Sequence, residues 1–341
     1  MNRNHEVNNH QLLLNEQGEL REPGWSRLMV QKYDRRMIKA PNWRIKEWDY
    51  YLVLSDRFGA AFTISDNGYI GLQSVSLLRF DGTPREHTET VLNAFPMGNL
   101  NLPPDSSSGV TEYKDNRLHM RFTVGNGYRR IKCYFRNFCQ GKPLKCDIML
   151  HQPDMESMVI ATPWDQKHAF YYNQKINCMR ASGYVLFDGE RYEFRPETDF
   201  GTLDWGRGVW TYDNTWYWGS GNVDLDGDKF GFNIGYGFGN TSAATENVLF
   251  YNGKVHKLDD VTFHIPEDDY MKPWKFTSSD GRFEMDFVPV LDRAANLDYK
   301  VIVSDQHQVF GRMSGNAILD DGREVRIKDV MCFAEKVHNR Y

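Results

Sequence analysis

Residues 183–194 read GYVLFDGERYEF, with β-branched and aromatic residues on either side of the pair Asp188-Gly189. Asx and Gly reach positive φ cheaply, and a two-residue hairpin turn demands it, so this stretch reads as two antiparallel strands joined by a tight turn. The same chemistry recurs at Asn67-Gly68, Asp81-Gly82, Asn126-Gly127, Asp226-Gly227, Asn252-Gly253, Asp280-Gly281 and Asp321-Gly322, eight pairs in 341 residues. Most of them have strand-like flanks, as in FTISDNGYIGL (62–72), VLFYNGKVHKL (248–258) and GRFEMDFVPV (281–290). Long helical periodicity is scarce. The expected fold is therefore all-β, built of antiparallel meanders that close into β-barrels or strongly curved sheets, because closure removes exposed strand edges.

A length of 341 residues suggests about two domains. A short internal echo, Ser182-Gly183-Tyr184-Val185-Leu186-Phe187-Asp188-Gly189 against Ser314-Gly315-Asn316-Ala317-Ile318-Leu319-Asp320-Asp321-Gly322, fits two related halves. No Gly/Ser or Pro linker marks a boundary, and the expected division is 1–180 and 181–341, with DWGRGVW and WYWGSG in the second part. The composition, 40% hydrophobic and 26% charged with a mean hydropathy of -0.62, argues for a soluble globular protein. No apolar run of about 18 residues is present. The opening MNRNHEVNNHQLLLNEQGEL lacks the features of a signal peptide, so a cytoplasmic location is expected, with any membrane contact confined to the periphery. A net charge of -5 spread along the chain excludes nucleic acid as the expected partner, since phosphate neutralisation needs clustered Lys and Arg. The five cysteines include no C-x-x-C and read as buried free thiols.

The densest segment for chemistry runs from Asp199 to Gly221, DFGTLDWGRGVWTYDNTWYWGSG, and holds four of the nine tryptophans. Alternate side chains of a strand share a face, so Trp210, Tyr212, Trp216 and Trp218 form one aromatic wall with Asn214 among them. Asp204 joins that face if the strand extends backwards; a bulge at Gly206 and Gly208 would reverse the parity. The next segment, KFGFNIGYGFGN (229–240), alternates Phe230, Phe232, Ile234, Tyr236 and Phe238 with a face of glycines and Asn233, which admits either a ligand or close packing. Glu246, in Thr245-Glu246-Asn247, and Glu335, in Met331–Arg340, are the other acidic candidates. Read as a strand, the C-terminal segment puts Glu335 on the face of Met331, Phe333 and Val337. Burial would raise its pKa toward an acid catalyst's, whereas Arg207 or Arg340 beside it would make a structural ion pair.

Other chemistries fail on spacing. Asp224–Asp228 lacks an acid at the twelfth position of a calcium loop, where Gly235 stands. Neither G-x-S-x-G nor H-E-x-x-H occurs. The histidines are scattered without metal-ligand spacing, and no dinucleotide or phosphate loop is present, so neither metal nor cofactor is expected.

The segments GWSR (24–27), LDWGRGVW (203–210), WYWGSG (216–221), TEN (245–247), VFGRMSG (309–315) and FAEKVHNR (333–340) together resemble the bacterial family called domain of unknown function 2804, over nearly the whole chain. More distantly, ASGYVLFDGERYEF followed by Asp204-Trp205-Gly206 is similar to the hydroxyneurosporene synthase and tocopherol cyclase group. That likeness implies two packed lipocalin-like barrels with a ligand pocket at or between them. It implies hydration, isomerisation or cyclisation of lipophilic alkenes, or lipid carriage, with Asp204 in the place of the group's acid. In that group's signature other residues separate the Asp from the Trp-Gly; here the three are contiguous.

The reading is a cofactor-independent, acid-catalysed hydratase or other lyase, isomerase or cyclase acting on a hydrophobic or amphipathic small molecule in an aromatic-lined barrel cavity. Asp204 is the expected acid, Glu246 or Glu335 a second carboxylate, and Arg207 an orienting partner. Trp205, Trp210, Tyr212, Asn214, Trp216, Trp218, Asn247 and His338 are the expected substrate contacts. A lipid or pigment carrier uses the same lining, with every carboxylate tied to Arg or Lys. Carbohydrate chemistry would need an open wet cleft with two carboxyls roughly 5 to 10 Å apart. Nothing in the sequence sets the substrate, the reaction direction or the oligomeric state.

Overall fold

The computed structural model describes residues 3–298 and 303–340, and among these the regular structure is β-strand with two single-turn 3-10 segments. All eight Asx-Gly pairs sit between antiparallel neighbours. At Asp188-Gly189 the φ angles are 52° and 78°, both positive as a type I′ turn requires. Gln140-Gly141 makes the same turn with φ of 51° and 78°, a hairpin whose first residue carried no signal in the sequence.

Apart from a small parallel pair, Gln11–Leu12 with Gln31–Lys32, the strands build two large antiparallel sheets. The first runs, edge to edge, through Arg85–Ala94, Ile70–Arg79, Phe58–Asp66, Ile45–Leu54, Phe200–Val209, Phe170–Phe187, Lys142–His151, Tyr128–Cys139, Leu118–Gly125 and Gly109–Lys114, with short strands added beside Phe170–Phe187. It curls until its distant ends meet, His87 Nε2 lying 2.7 Å from the Phe138 carbonyl. The second runs Lys254–Lys257, Val248–Tyr251, Asp228–Tyr236, Asp213–Leu225, Glu324–Arg340, Val303–Ile318, Phe283–Asp298, Trp274–Ser278 and Val261–His264. It curls likewise, bringing the Tyr236 and Phe263 rings to 5.5 Å.

Each sheet encloses its own apolar core, and a third cluster fills the layer between the sheets, with Tyr50, Leu52, Tyr171 and Trp210 from the first facing Trp218, Phe250, Phe310 and Phe333 from the second. The interiors of the two curls are packed with side chains, and a cavity lies between the sheets. The chain passes from one sheet to the other between Val209 and Asp213, so DWGRGVW belongs to the first sheet, and residue 180 lies inside the strand Phe170–Phe187. The internal echo has a structural counterpart. Gly183 and Gly315 both take positive φ on long strands, and each lies where a Cβ would strike a carbonyl of the neighbouring strand, that of Asp147 or Glu284.

Candidate active site between the sheets

The strand Phe200–Val209 is buried on both sides, and its alternation decides what reaches the inter-sheet layer. Odd positions point into the first core: Trp205 lies among the apolar residues there, and the Arg207 guanidinium stacks 4.2 Å from its ring. Arg207 donates to Asp49 Oδ1 at 3.0 Å, to the Pro103 carbonyl at 2.7 Å and to the Trp48 carbonyl at 2.8 Å. It therefore lies across the sheet from Asp204 and engages the first core. Asp204, at an even position, faces the second sheet. The register with Ile45–Leu54 is continuous, so Gly206 and Gly208 make no bulge. They give room instead: a Cβ on Gly206 would lie inside the Trp48 indole, and one on Gly208 would meet the Phe170 carbonyl. The bulge falls on the neighbouring strand, between Ile176 and Met179, with Cys178 at φ 60°.

Between the sheets is a cavity of about 370 Å³. Trp48, Tyr171, Trp210, Trp216, Trp218 and Phe238 form its aromatic wall, with Trp210 5.7 Å from Trp48 and 5.3 Å from Trp216. Phe238 leaves the face of its strand because Gly237, at φ 97°, turns the chain over. Thr63, Ser65, Ser74, Thr88 and Thr90 supply a row of hydroxyl-bearing residues from the first sheet, opposite Arg293, Gln306, Gln308 and Asn339 from the second.

Three carboxyls line this space, those of Glu86, Asp204 and Glu335, and that of Glu246 lies behind it. Asp204 Oδ1 accepts from Lys175 Nζ at 2.8 Å and from Asn173 Nδ2 at 2.6 Å. Lys175, 1% exposed, places its ammonium 3.9 Å from the Trp218 ring centre. Glu335 accepts from Trp216 Nε1 at 3.0 Å and Gln308 Nε2 at 2.8 Å, and no ion pair within the 4.0 Å contact range holds it among the described residues. Burial raises its carboxyl above the ordinary range, against the pull of those two donors. Glu246 sits outside the lining, behind Tyr171, whose hydroxyl donates to Oε2 at 3.3 Å. Burial pushes Glu246 up to about 7, offset in part by Lys175 and reinforced by Asp204. Trp210 Nε1, Gln308 Oε1 and Asn339 Oδ1 are buried polar atoms on lining residues without a hydrogen-bond partner among the described residues.

The expected site residues thus separate. Asp204, Glu335, Trp210, Trp216 and Trp218 come together in the cavity, with Glu246 one layer back. The remaining expected contacts lie elsewhere. Tyr212 is 54% exposed, because the strand breaks after Val209 and the wall is not one continuous face. Asn214 binds Thr211, and His338 lies 2.9 Å from Asp213 on the surface. Asn247 accepts from the Gly235 amide at 2.7 Å and donates to the Asp259 carbonyl at 2.8 Å, which fixes a loop. The glycine face of Asp228–Tyr236 serves packing: Gly231 abuts Cys178 and Gly235 abuts Glu246. Sequence reasoning missed Lys175, Asn173, Trp48 and Gln308. The one available signal was a lysine inside the otherwise strand-like run FYYNQKINCM, residues 170–179.

The family described as domain of unknown function, DUF2804, matches residues 4–341. The chain belongs to that family. No curated protein sequence matches this DUF2804 member. Among solved structures it is similar to a protein provisionally assigned as AttH from Nitrosomonas europaea, at 12% identity over 91% of this chain and 98% of that one, with a TM-score of 0.51. It also resembles kievitone hydratase from Nectria haematococca, at 11% identity over 91% and 93% of the two chains, with a TM-score of 0.47. At such identities likeness bears on the fold alone, and the fold is the double lipocalin-like barrel expected from the sequence.

Proposed function

We propose that this protein is an acid–base enzyme of the hydratase, lyase or isomerase type, acting on an amphipathic small molecule held between its two sheets. The observation that carries the reading is Glu335: a buried carboxyl on the wall of an aromatic cavity, bonded by neutral donors and in no ion pair among the described residues, with Arg293 and Lys175 offsetting only part of the effect of its burial. A carrier has no use for such a group, whereas a proton donor needs a carboxylic acid kept neutral by apolar burial. Asp204 takes the complementary part. Its contacts with Lys175 and Asn173 make it an acceptor, and acid and base are set apart by surroundings rather than by residue type. The rings accommodate the ligand's apolar body, and the hydroxyls of Thr63, Ser65, Ser74, Thr88 and Thr90 suit a polar end.

The test is incubation of the full chain with a lipophilic extract of its host in water enriched in heavy oxygen, followed by untargeted mass spectrometry. Wild-type protein is expected to create labelled or dehydrated species, or isomers of extract components, that Glu335→Gln does not. Identical extracts after both treatments would leave the protein as a carrier.

A further inference from the structure

Resting on that reading, we infer that the reacting group of the substrate is a carbonyl-conjugated double bond, and that Lys175 holds the oxygen of the enolate formed from it. An isolated alkene reacts by gaining a proton and becoming a carbocation, which needs open aromatic faces and no neighbouring positive charge. This cavity offers the reverse. The Trp218 face is already taken by the Lys175 ammonium at 3.9 Å, and the Phe238 ring centre lies 5.9 Å from the same nitrogen. Arg293 and Lys46 add two further cationic side chains to the lining. A carbocation generated against the Lys175 ammonium would be repelled by it, while an oxyanion accepting a hydrogen bond from that ammonium, already held in place by Asp204, would be stabilised without reorganisation.

Lys175 is well placed for this. It is anchored on the strand Phe170–Phe187, opposite Asp204 in register, and one contact with Oδ1 orients the ammonium while leaving further N–H donors. Trp210 Nε1, a lining donor with no hydrogen-bond partner among the described residues, also suits an oxygen-bearing ligand. In the hydration direction the oxygen of water bonds to the β-carbon. The π pair of the C=C bond shifts toward the carbonyl, and its oxygen gains the charge beside Lys175. The proton of water passes to the Asp204 carboxylate. The enolate then collapses, its α-carbon taking the proton of Glu335, and Asp204 returns a proton to Glu335 through solvent. One molecule of water is added and nothing is oxidised; the reverse sequence dehydrates a β-hydroxy ketone.

The probes are benzylideneacetone and its hydrocarbon counterpart β-methylstyrene, offered to the full chain. Binding is read by quenching of tryptophan fluorescence, and addition of water by heavy-oxygen incorporation. Benzylideneacetone is expected to bind about tenfold more tightly than β-methylstyrene, the scale of one hydrogen bond to a charged group, and to be hydrated. In Lys175→Met both the preference and the hydration are lost. If that variant does not fold, Lys175→Met combined with Asp204→Leu leaves no lone buried charge and must show the same loss of preference. Equal or tighter binding of β-methylstyrene, or its hydration in place of the ketone's, would overturn the enolate and leave the acid–base reading standing. Saturable binding of neither probe would overturn both.

Discussion

Lys175 Nζ and Asp204 Oδ1 lie 2.8 Å apart at directly opposed positions of adjacent strands, both side chains enclosed between the sheets. Removing one member of such a pair strands a charge in a poor dielectric, which costs about 3–5 kcal/mol, whereas removing both costs far less. Asp204→Asn is therefore expected to lower stability strongly as well as activity. Urea denaturation of Asp204→Asn, Lys175→Met and the double variant Lys175→Met/Asp204→Leu checks this. Additive losses in the double variant would show that the two charges do not depend on each other.

Glu335→Gln keeps the shape of a side chain that accepts from Trp216 and Gln308, so the fold is expected to survive with a loss of about 1–2 kcal/mol. Turnover is expected to vanish. In the wild type, activity that needs the protonated acid falls as pH rises through the elevated pKa of Glu335. A pH–rate profile measured on the substrate identified from the host extract decides it, and a rate that climbs through that range would assign Glu335 as a base.

Glu246 gives a prediction about stability instead. Its carboxyl is raised from 4.5 to about 7 by burial, so between these values the folded chain holds a proton that the unfolded chain releases. Its contribution is undiminished below pH 4.5, declines as pH rises to about 7, and is level above. At roughly 1.4 kcal/mol per unit the loss is at most about 3.5 kcal/mol. Glu335 shares the sign, so Glu246→Gln is expected to reduce the decline in unfolding free energy between pH 5 and pH 7.5 without abolishing it. Parallel curves for variant and wild type would contradict the assignment.

Gly206→Ala places a methyl group inside the Trp48 indole, forcing the ring off its contacts with Tyr171 and Trp210. Overpacking of this kind costs about 1–3 kcal/mol. Trp48→Ala in the same chain is expected to relieve the clash, so thermal denaturation should show the double variant losing less than the two single losses added together. Strict additivity would mean that the glycine is there for another reason.

Much of this architecture was legible because turn chemistry is local: the glycine of Asp188-Gly189 and of each of its seven counterparts takes positive φ, the Asx residue does so as well at Asp188, Asp226 and Asn252, and all eight pairs lie at hairpins. The site was legible only in part, because parity along a strand survives until something interrupts it. Trp210 and Trp218 do share a cavity, but the break after Val209 turned Tyr212 to solvent, and the turn at Gly237 sent Phe238 across to the tryptophans. Lys175 was hidden for a different reason. A single lysine on a strand ordinarily reads as solvent-facing, and its burial depends on Asp204, which is nearby only once the strands have paired. Where the ligand space would fall was equally hidden, since the apolar faces that fill each curl and those that meet between the curls have the same composition.

Native mass spectrometry of the protein purified from its own host, compared with a Ser74→Trp variant that fills the cavity, tests the central claim most directly. The account predicts a small organic adduct on the wild-type chain and none on the filled one. A bare wild-type mass, or an adduct retained equally by Ser74→Trp, would contradict it.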